Sequence, residues 1–212
     1  FGEPDMANIP FKKDLTFEYG LPDQVSPLIR RVIAPNPSAF TLHGTGTYIV
    51  GHGQVAVIDP GPDDPDHIEA ILQALKGETV SHIVITHTHR DHSAGAALLK
   101  AETNAEIWGC GPHGYGRENK VTTSEVSQEG ADTDYMPDTL ANDADILATK
   151  EWALQAVYTP GHTSNHTCYF LREENALFSG DHVMGWSTTI VSPPDGDMYR
   201  YCLFTHLRAH ET

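Results

Sequence analysis

Cysteine is scarce in this sequence: three of the 212 residues are cysteines, and no two form a C-x-x-C pair. Cys110, Cys168 and Cys202 are widely spaced and odd in number, so they offer no disulfide framework. So sparse a set suits a reducing compartment, and we predict a cytoplasmic protein.

Long apolar runs are also missing. No stretch approaches the roughly 20 apolar residues that cross a bilayer, and no signal-peptide pattern opens the sequence, so we expect no membrane association. A hydrophobic content of 39% and a charged content of 20% are typical of a globular protein. The length favours one substantial domain, with two small domains as the alternative.

Basic residues are few. Lysine and arginine number 13 against 29 aspartates and glutamates, which gives a net charge of −16 at pH 7. Such a charge repels RNA and anionic membranes at long range, and no run of lysine or arginine forms a basic patch. The balance favours a small-molecule substrate over RNA, although acidity also serves solubility.

Metal-ligand residue types are concentrated in one short segment. Residues 86–92 read T-H-T-H-R-D-H and follow the β-branched run I-V-I at 83–85, which is typical of a buried strand. If the chain stays extended, His87 and His89 point the same way, because side chains alternate along a strand. Imidazole and carboxylate together suit zinc, manganese or iron better than calcium. A polar turn with chance histidines is the alternative.

Other strand ends carry similar residues. Asp59 follows the predicted strand 55–58, His162 follows a strand ending at 158, and Asp181 follows the short strand 176–178. The amphipathic pattern at 65–75 predicts a helix between two strands, and this order favours an α/β fold. Metal hydrolases build one pocket rim from several strand ends in this way.

Together these motifs resemble the metallo-β-lactamase superfamily. The resemblance rests on T-H-x-H-x-D-H, a later P-G-H-T turn, an S-G-D turn and an early I-D-P-G, all present in that order. Segments 36–41 and 44–48 resemble the branch that holds a β-lactamase-like endoribonuclease and hydroxyacylglutathione-hydrolase-like proteins. The likeness runs from about residue 28 to 199. It implies a domain at 28–200, preceded by an arm at 1–27 (of which 1–5 need not be native) and followed by an atypical tail at 201–212.

The resemblance implies a four-layer αβ/βα sandwich that holds one or two zinc ions, with manganese or iron possible. It assigns His87, His89 and His162 to the first ion, Asp91 and His92 to the second, and Asp181 to both. Asp91 would also be the catalytic group that orients the water and shuttles its proton. Asp59 and His182 would support the ligands from outside, and a plain packing role for His182 is equally open.

One family ligand has no counterpart. The superfamily supplies a further histidine from a late G-H-G turn, and no such turn follows Asp181 in this sequence. We therefore expect a C-terminally truncated domain that lacks its last strand–helix unit. His206 and His210 are four residues apart and are predicted to be surface residues; the alternative is that one of them replaces the missing ligand.

The predicted function is a metal-dependent hydrolase that uses a metal-activated water on an ester, thioester, amide or phosphodiester bond. An endoribonuclease is the alternative within the enzyme class. A catalytically impaired or non-enzymatic metal-binding fragment is the alternative outside it. A homo-oligomer is a possible assembly under any of these functions.

Overall fold

The computed structural model describes residues 10–117 and 130–207. Seven strands form a mixed sheet in the order of the chain: β1 (Asp23–Ser26), β2 (Ile29–Ile33), β3 (Gly46–Val50), β4 (Gln54–Ile58), β5 (Thr79–Ile85), β6 (Glu106–Gly109) and β7 (Thr139–Leu140). Four more form an antiparallel sheet in the order β11-β10-β9-β8: β8 (Ile146–Ala148), β9 (Ala153–Tyr158), β10 (Thr167–Leu171) and β11 (Ala176–Phe178). The helices are α1 (Pro65–Ala74), α2 (Arg90–Ser93), α3 (Ala96–Thr103) and α4 (Met198–Leu207).

The pairing of β4 with β5 positions the functional end of the larger sheet. Strands β1 to β4 pair antiparallel, whereas β4 to β7 pair parallel, with α1 crossing between β4 and β5. Ile58 lies beside Val84, so the carboxyl ends of β4 and β5 meet at one edge. Residues that follow either strand therefore emerge side by side, as the sequence pattern predicted.

Helix α1 confirms the predicted amphipathic segment. Its N-cap is Asp64, whose side chain accepts a hydrogen bond from the Asp66 amide at 3.0 Å, and Pro65 occupies the first turn. Ile68 and Ile71 are buried against the sheet. The helix forms here because the capping residues favour its first turn and the apolar stripe packs against the sheet.

Two hydrophobic cores lie on the two faces of the larger sheet. Along β4, Val55 and Val57 join the core beneath α1 and α3, whereas Ala56 and Ile58 join the core that contacts the smaller sheet. Both faces are buried, which explains why this strand reads as an unbroken apolar run. The described residues thus form the α/β sandwich of helices on sheet on sheet.

Strand β1 and helix α4 are among the elements that were not predicted from the sequence. Strand β1 lies inside the predicted arm, where it pairs with β2 and where Arg31 forms an ion pair of 2.7 Å with Asp23. Helix α4 crosses the predicted boundary at residue 200. Neither shows a clear period, because a short edge strand and a helix with mixed faces depend on neighbours distant in sequence. The predicted domain boundaries stay predictions.

The termini, the cysteines and the helices bear on the other predictions made from the sequence. Residues 1–5 and His210 lie outside the described residues, and the side chain of His206 is not described. None of the three cysteines forms a disulfide. Among residues 10–117 and 130–207, no helix is both long and apolar enough to cross a membrane.

Buried His67 on α1 makes stability depend on pH. Burial lowers the pKa of His67 to about 4, with Asp64 opposing, and the ring lies 2.9 Å from Thr47 Oγ1. The unfolded chain binds this proton from about pH 6.5 downwards and the folded chain does not, so stability is lost as pH falls from 6.5 to 4. Relative to His67→Gln, the wild type should lose roughly 2–3 kcal/mol more over that window.

Urea unfolding of both proteins with a chelator present, at pH 7 and pH 4.5, measures this difference. His52→Gln, at an exposed histidine, is the matched control and should follow the wild type. Equal pH slopes for wild type and His67→Gln would contradict the assignment.

Candidate metal centre

The ends of three strands converge on one cluster of ligand-type side chains. His87 and His89 follow β5, His162 follows β9, and Asp181 follows β11. One ligand atom from each of the four lies within 4.8 Å of the others. The carboxyl end of the larger sheet and the adjoining end of the smaller sheet therefore form a single site.

The imidazoles lie close to the spacing that a tetrahedral ion requires, with His89 Nδ1 a few tenths of an ångström nearer to its two neighbours. His89 Nδ1 lies 3.1 Å from His87 Nε2 and 3.0 Å from His162 Nε2. Ligands at the usual Zn–N distance of about 2.0–2.1 Å would be roughly 3.3–3.4 Å apart. Burial lowers the pKa of His89 to about 4, and it holds the pKa of His87 well below the usual value. Neutral rings with free lone pairs are what a divalent ion binds, so this donor set fits one.

Asp181 faces two positions at once. Its Oδ2 lies 3.5 Å from His162 Nε2 and 3.9 Å from His87 Nε2, whereas its Oδ1 lies 3.4 Å from His92 Nε2. Asp91 Oδ2 lies 3.5 Å from the same nitrogen of His92. The cluster therefore continues into a second group of ligand-type side chains, with Asp181 between the two groups.

The charges around the second group favour a cation. Burial acts to lower the pKa of His92, but Asp91, Asp181 and Asp59 outweigh it and hold that pKa well above its usual value. Burial also acts to raise the pKa of Asp181, and His92 together with His162 overcomes it, so the net direction is down. Three carboxylates around one imidazole are an excess of negative charge that a divalent ion would balance.

Asp59 orients two of the rings from outside the cluster. Its carboxylate accepts hydrogen bonds from the Thr86 amide at 2.9 Å, from Thr86 Oγ1 at 2.7 Å and from His92 Nδ1 at 2.9 Å. Thr86 Oγ1 in turn lies 3.0 Å from His87 Nδ1. Both imidazoles are thereby held with Nε2 towards the centre. Asp59 reaches this position in the left-handed region, at φ 49°.

His162 is oriented by the chain that follows β11. Its Nδ1 donates to the Ile190 carbonyl at 2.6 Å, with Thr189 Oγ1 at 3.3 Å. This contact leaves Nε2 directed at His89 and Asp181. The segment around residue 190 is therefore part of the site, which the sequence pattern did not indicate.

His182 has its contacts on helix α4. The side chain is buried, its Nε2 lies 3.0 Å from Thr205 Oγ1, and its ring centroid lies 4.9 Å from that of Tyr201. Of the two roles left open by the sequence, this geometry favours packing, because the ring attaches α4 to the turn after Asp181.

His166 is a buried neighbour of the site that sequence reasoning missed. Its ring is fully buried and stacks on that of His87 with centroids 5.0 Å apart, and its Nδ1 lies 3.0 Å from Thr159 Oγ1. Next to it, Asn165 Nδ2 donates to Thr88 Oγ1 at 3.0 Å and to the Gly111 carbonyl at 2.8 Å. The available signal was a second histidine in the same turn, four residues after His162.

A family model described as the Metallo-beta-lactamase superfamily matches residues 41–202. The chain belongs to this superfamily. Similar curated proteins include a lactamase-like protein from Pestalotiopsis microspora, 37% identical, and an atrochrysone carboxyl ACP thioesterase from Cryptosporiopsis sp. (strain 8999), 35% identical. These matches cover 81% and 80% of this chain but 49% and 48% of the relatives, so the chain spans about half their length.

Solved structures show the same fold at lower identity. A beta-lactamase domain protein from Burkholderia ambifaria matches with a TM-score of 0.68 and 17% identity, over 94% of this chain and 69% of that one. The BLEG-1 B3 metallo-beta-lactamase matches with a TM-score of 0.64 and 22% identity, over 84% of each chain. The α/β metallo-β-lactamase fold predicted from the motifs is confirmed, and the branch within the superfamily stays a prediction.

Removal of the Asp59 charge should weaken metal binding without removing a ligand. Asp59→Asn keeps the shape and tolerates the left-handed backbone, but it loses the acceptor that orients His92. We expect zinc affinity to fall about 10–100-fold, measured by competition with a chromophoric chelator. Asp63→Asn, at an exposed aspartate nearby, should bind zinc like the wild type. Equal affinities in all three proteins would contradict the orienting role.

Proposed function

We propose that this chain carries the catalytic centre of a metal-dependent hydrolase that cleaves an acyl thioester. The proposal rests on the position of Asp181, whose two carboxylate oxygens face separate groups of ligand-type side chains. Such an arrangement suits hydrolysis assisted by two ions. The choice of a thioester is supported by similar proteins named atrochrysone carboxyl ACP thioesterase, among them one from Aspergillus terreus that is 32% identical.

We propose zinc as the metal, with manganese or iron suited to the same donors. His87, His89 and His162 would hold one ion, Asp91 and His92 would contribute to a second, and Asp181 would contact both. Ions bound there would lower the pKa of a water molecule and polarise the scissile carbonyl.

The chain's own groups would position the water and move its proton. The side chain of Asp91 is 31% exposed, and its Oδ2 accepts a hydrogen bond from Thr45 Oγ1 at 3.3 Å. Its carboxylate is thus held at the open side of the cluster, where it would accept a proton from the attacking water. Addition of that water to the carbonyl carbon would form a tetrahedral adduct, and collapse of the adduct would break the C–S bond and expel the thiolate. The thiolate would take up the proton that Asp91 accepted, so that the products are a carboxylic acid and a thiol.

The sequence also allows two alternative functions. An endoribonuclease is disfavoured by the net charge of −16, which repels RNA at long range. A catalytically impaired or non-enzymatic metal-binding protein stays the alternative outside the enzyme class. The cytoplasmic location and the oligomeric state also stay predictions from the sequence.

A substrate panel tests the proposed function. The chain is purified, loaded with zinc and assayed with a thioester, an oxygen ester, an amide and an RNA oligonucleotide. We expect zinc-dependent thiol release that a chelator abolishes. Cleavage of RNA without thioester turnover would favour the endoribonuclease, and bound zinc without any turnover would favour the impaired protein.

A further inference from the structure

Two cavities meet at the candidate metal centre. One has a volume of about 420 Å³ and the other about 460 Å³. Both volumes lie within the range of small-molecule sites. Both cavities are lined by Phe40, Thr41, Asp91, Asp181 and Met184. A substrate whose reacting atom lies beside Asp91 and Asp181 would therefore extend in two directions, one into each cavity.

The first cavity is an apolar groove assembled from four parts of the chain. Its walls include Leu15, Val25, Phe40, Leu177, Val183 and Met184. Phe40 is 67% exposed, Leu177 54% and Val183 53%. Large apolar side chains that stay exposed side by side mark a binding surface, because covering them removes apolar area from water.

The arm before β1 is attached at this groove. The Lys12 amide donates to the Gly185 carbonyl at 2.8 Å, and Tyr19 Oη donates to the His43 carbonyl at 2.6 Å. These bonds connect the arm to two other segments that line the groove. The arm, through Leu15, thus forms part of the groove wall.

Away from the metal centre, the charges that line the first cavity disfavour an anionic occupant. Arg31 is the guanidinium in this lining, and Asp23 neutralises it at 2.7 Å. Asp91 and Asp181 stand at the inner end. Away from the metal centre, an uncharged apolar group is the occupant that this combination favours, since the guanidinium of the groove is already paired with Asp23.

Most of the residues that line the second cavity and not the first are polar. They include Asn36, Ser38 and Ser192, together with His89 and His162. Amide and hydroxyl groups suit a polar thiol arm that carries amide bonds. This difference in lining indicates which half of the substrate enters which cavity.

We propose that the apolar groove binds the acyl part of the substrate, and that this acyl part is apolar and larger than acetyl. The thiol part leaves through the second cavity. This proposal rests on the proposed thioester hydrolysis. It adds which half of the substrate lies on which side of Asp91 and Asp181, and it names Phe40 and Leu177 as determinants of acyl length.

A chain-length series tests the groove. S-acyl-N-acetylcysteamine thioesters from acetyl to octanoyl are hydrolysed by the zinc-loaded chain, and kcat/KM is measured for each. We expect roughly a fourfold rise per added methylene until the groove is filled. Leu177→Asn and Phe40→Asn should flatten this rise. The matched control is Ile146→Asn, at an isoleucine on β8 that is 50% exposed. This variant should show the same rise with acyl length as the wild type.

Binding of stable thioethers separates this proposal from the proposed reaction. S-methyl- and S-octyl-N-acetylcysteamine are titrated into the same proteins by calorimetry, and we expect only the octyl compound to bind, with binding lost in Leu177→Asn. If the octyl compound binds in this way but no thioester is hydrolysed, the groove proposal is supported and the proposed hydrolase function is overturned. Turnover with no dependence on acyl length, or octyl binding unchanged in both groove variants, would overturn the groove.

Discussion

Asp91→Asn is expected to lower turnover by about 10²–10⁴-fold, the usual contribution of a general base. The amide keeps the shape of the carboxylate and an oxygen that can accept from Thr45 Oγ1, which lies 3.3 Å away in the wild type. It cannot take a proton from water. The three histidines around His89 Nδ1 are untouched, so the metal held there should remain.

Turnover of a thioester and metal content by elemental analysis distinguish chemistry from binding. A loss in kcat with at least one metal equivalent retained is the expected result. Asp134→Asn, at an exposed aspartate, controls for the change in net charge and should retain full turnover. An Asp91→Asn protein that is as active as the wild type would remove the proposed base.

Asp181→Asn is expected to abolish the stabilisation that zinc confers. A ligand at about 100 times its Kd adds about 2.7 kcal/mol to a protein that binds it only when folded. For a chain of this size the gain corresponds to a rise in Tm of about 5–10 °C. Asp181 faces both groups of ligand-type side chains, so the variant should show almost none of this rise and no turnover.

Thermal unfolding with zinc and with a chelator measures the effect. The chelated proteins supply the reference for each variant, so a change in the intrinsic stability of Asp181→Asn does not enter the comparison. Asp197→Asn keeps an N-cap type residue ahead of α4, where Asp197 Oδ1 accepts from the Arg200 amide at 3.0 Å, and should respond to zinc like the wild type. An equal rise in Tm for Asp181→Asn would show that Asp181 is not a ligand.

Local sequence pattern determined the elements whose own residues carry the signal. The run at 83–85 is apolar and β-branched, and it lies in β5 as predicted. The stripe at Ile68 and Ile71 faces the core, as the helical period required. The ligand-type residues that follow each strand could also be recognised in the sequence, because apolar side chains give way to ligand-type side chains within two or three positions.

The sequence by itself thus determined the α/β class, the strand ends and the candidate ligand types, since each depends on neighbours along the chain. Only the tertiary structure decided that Asp181 lies within 3.9 Å of both His87 and His162, that His166 stacks behind His87, and that four separated segments form one apolar groove. These are contacts across two packed sheets. Their geometry depends on how the sheets pair and stack, which no local period encodes.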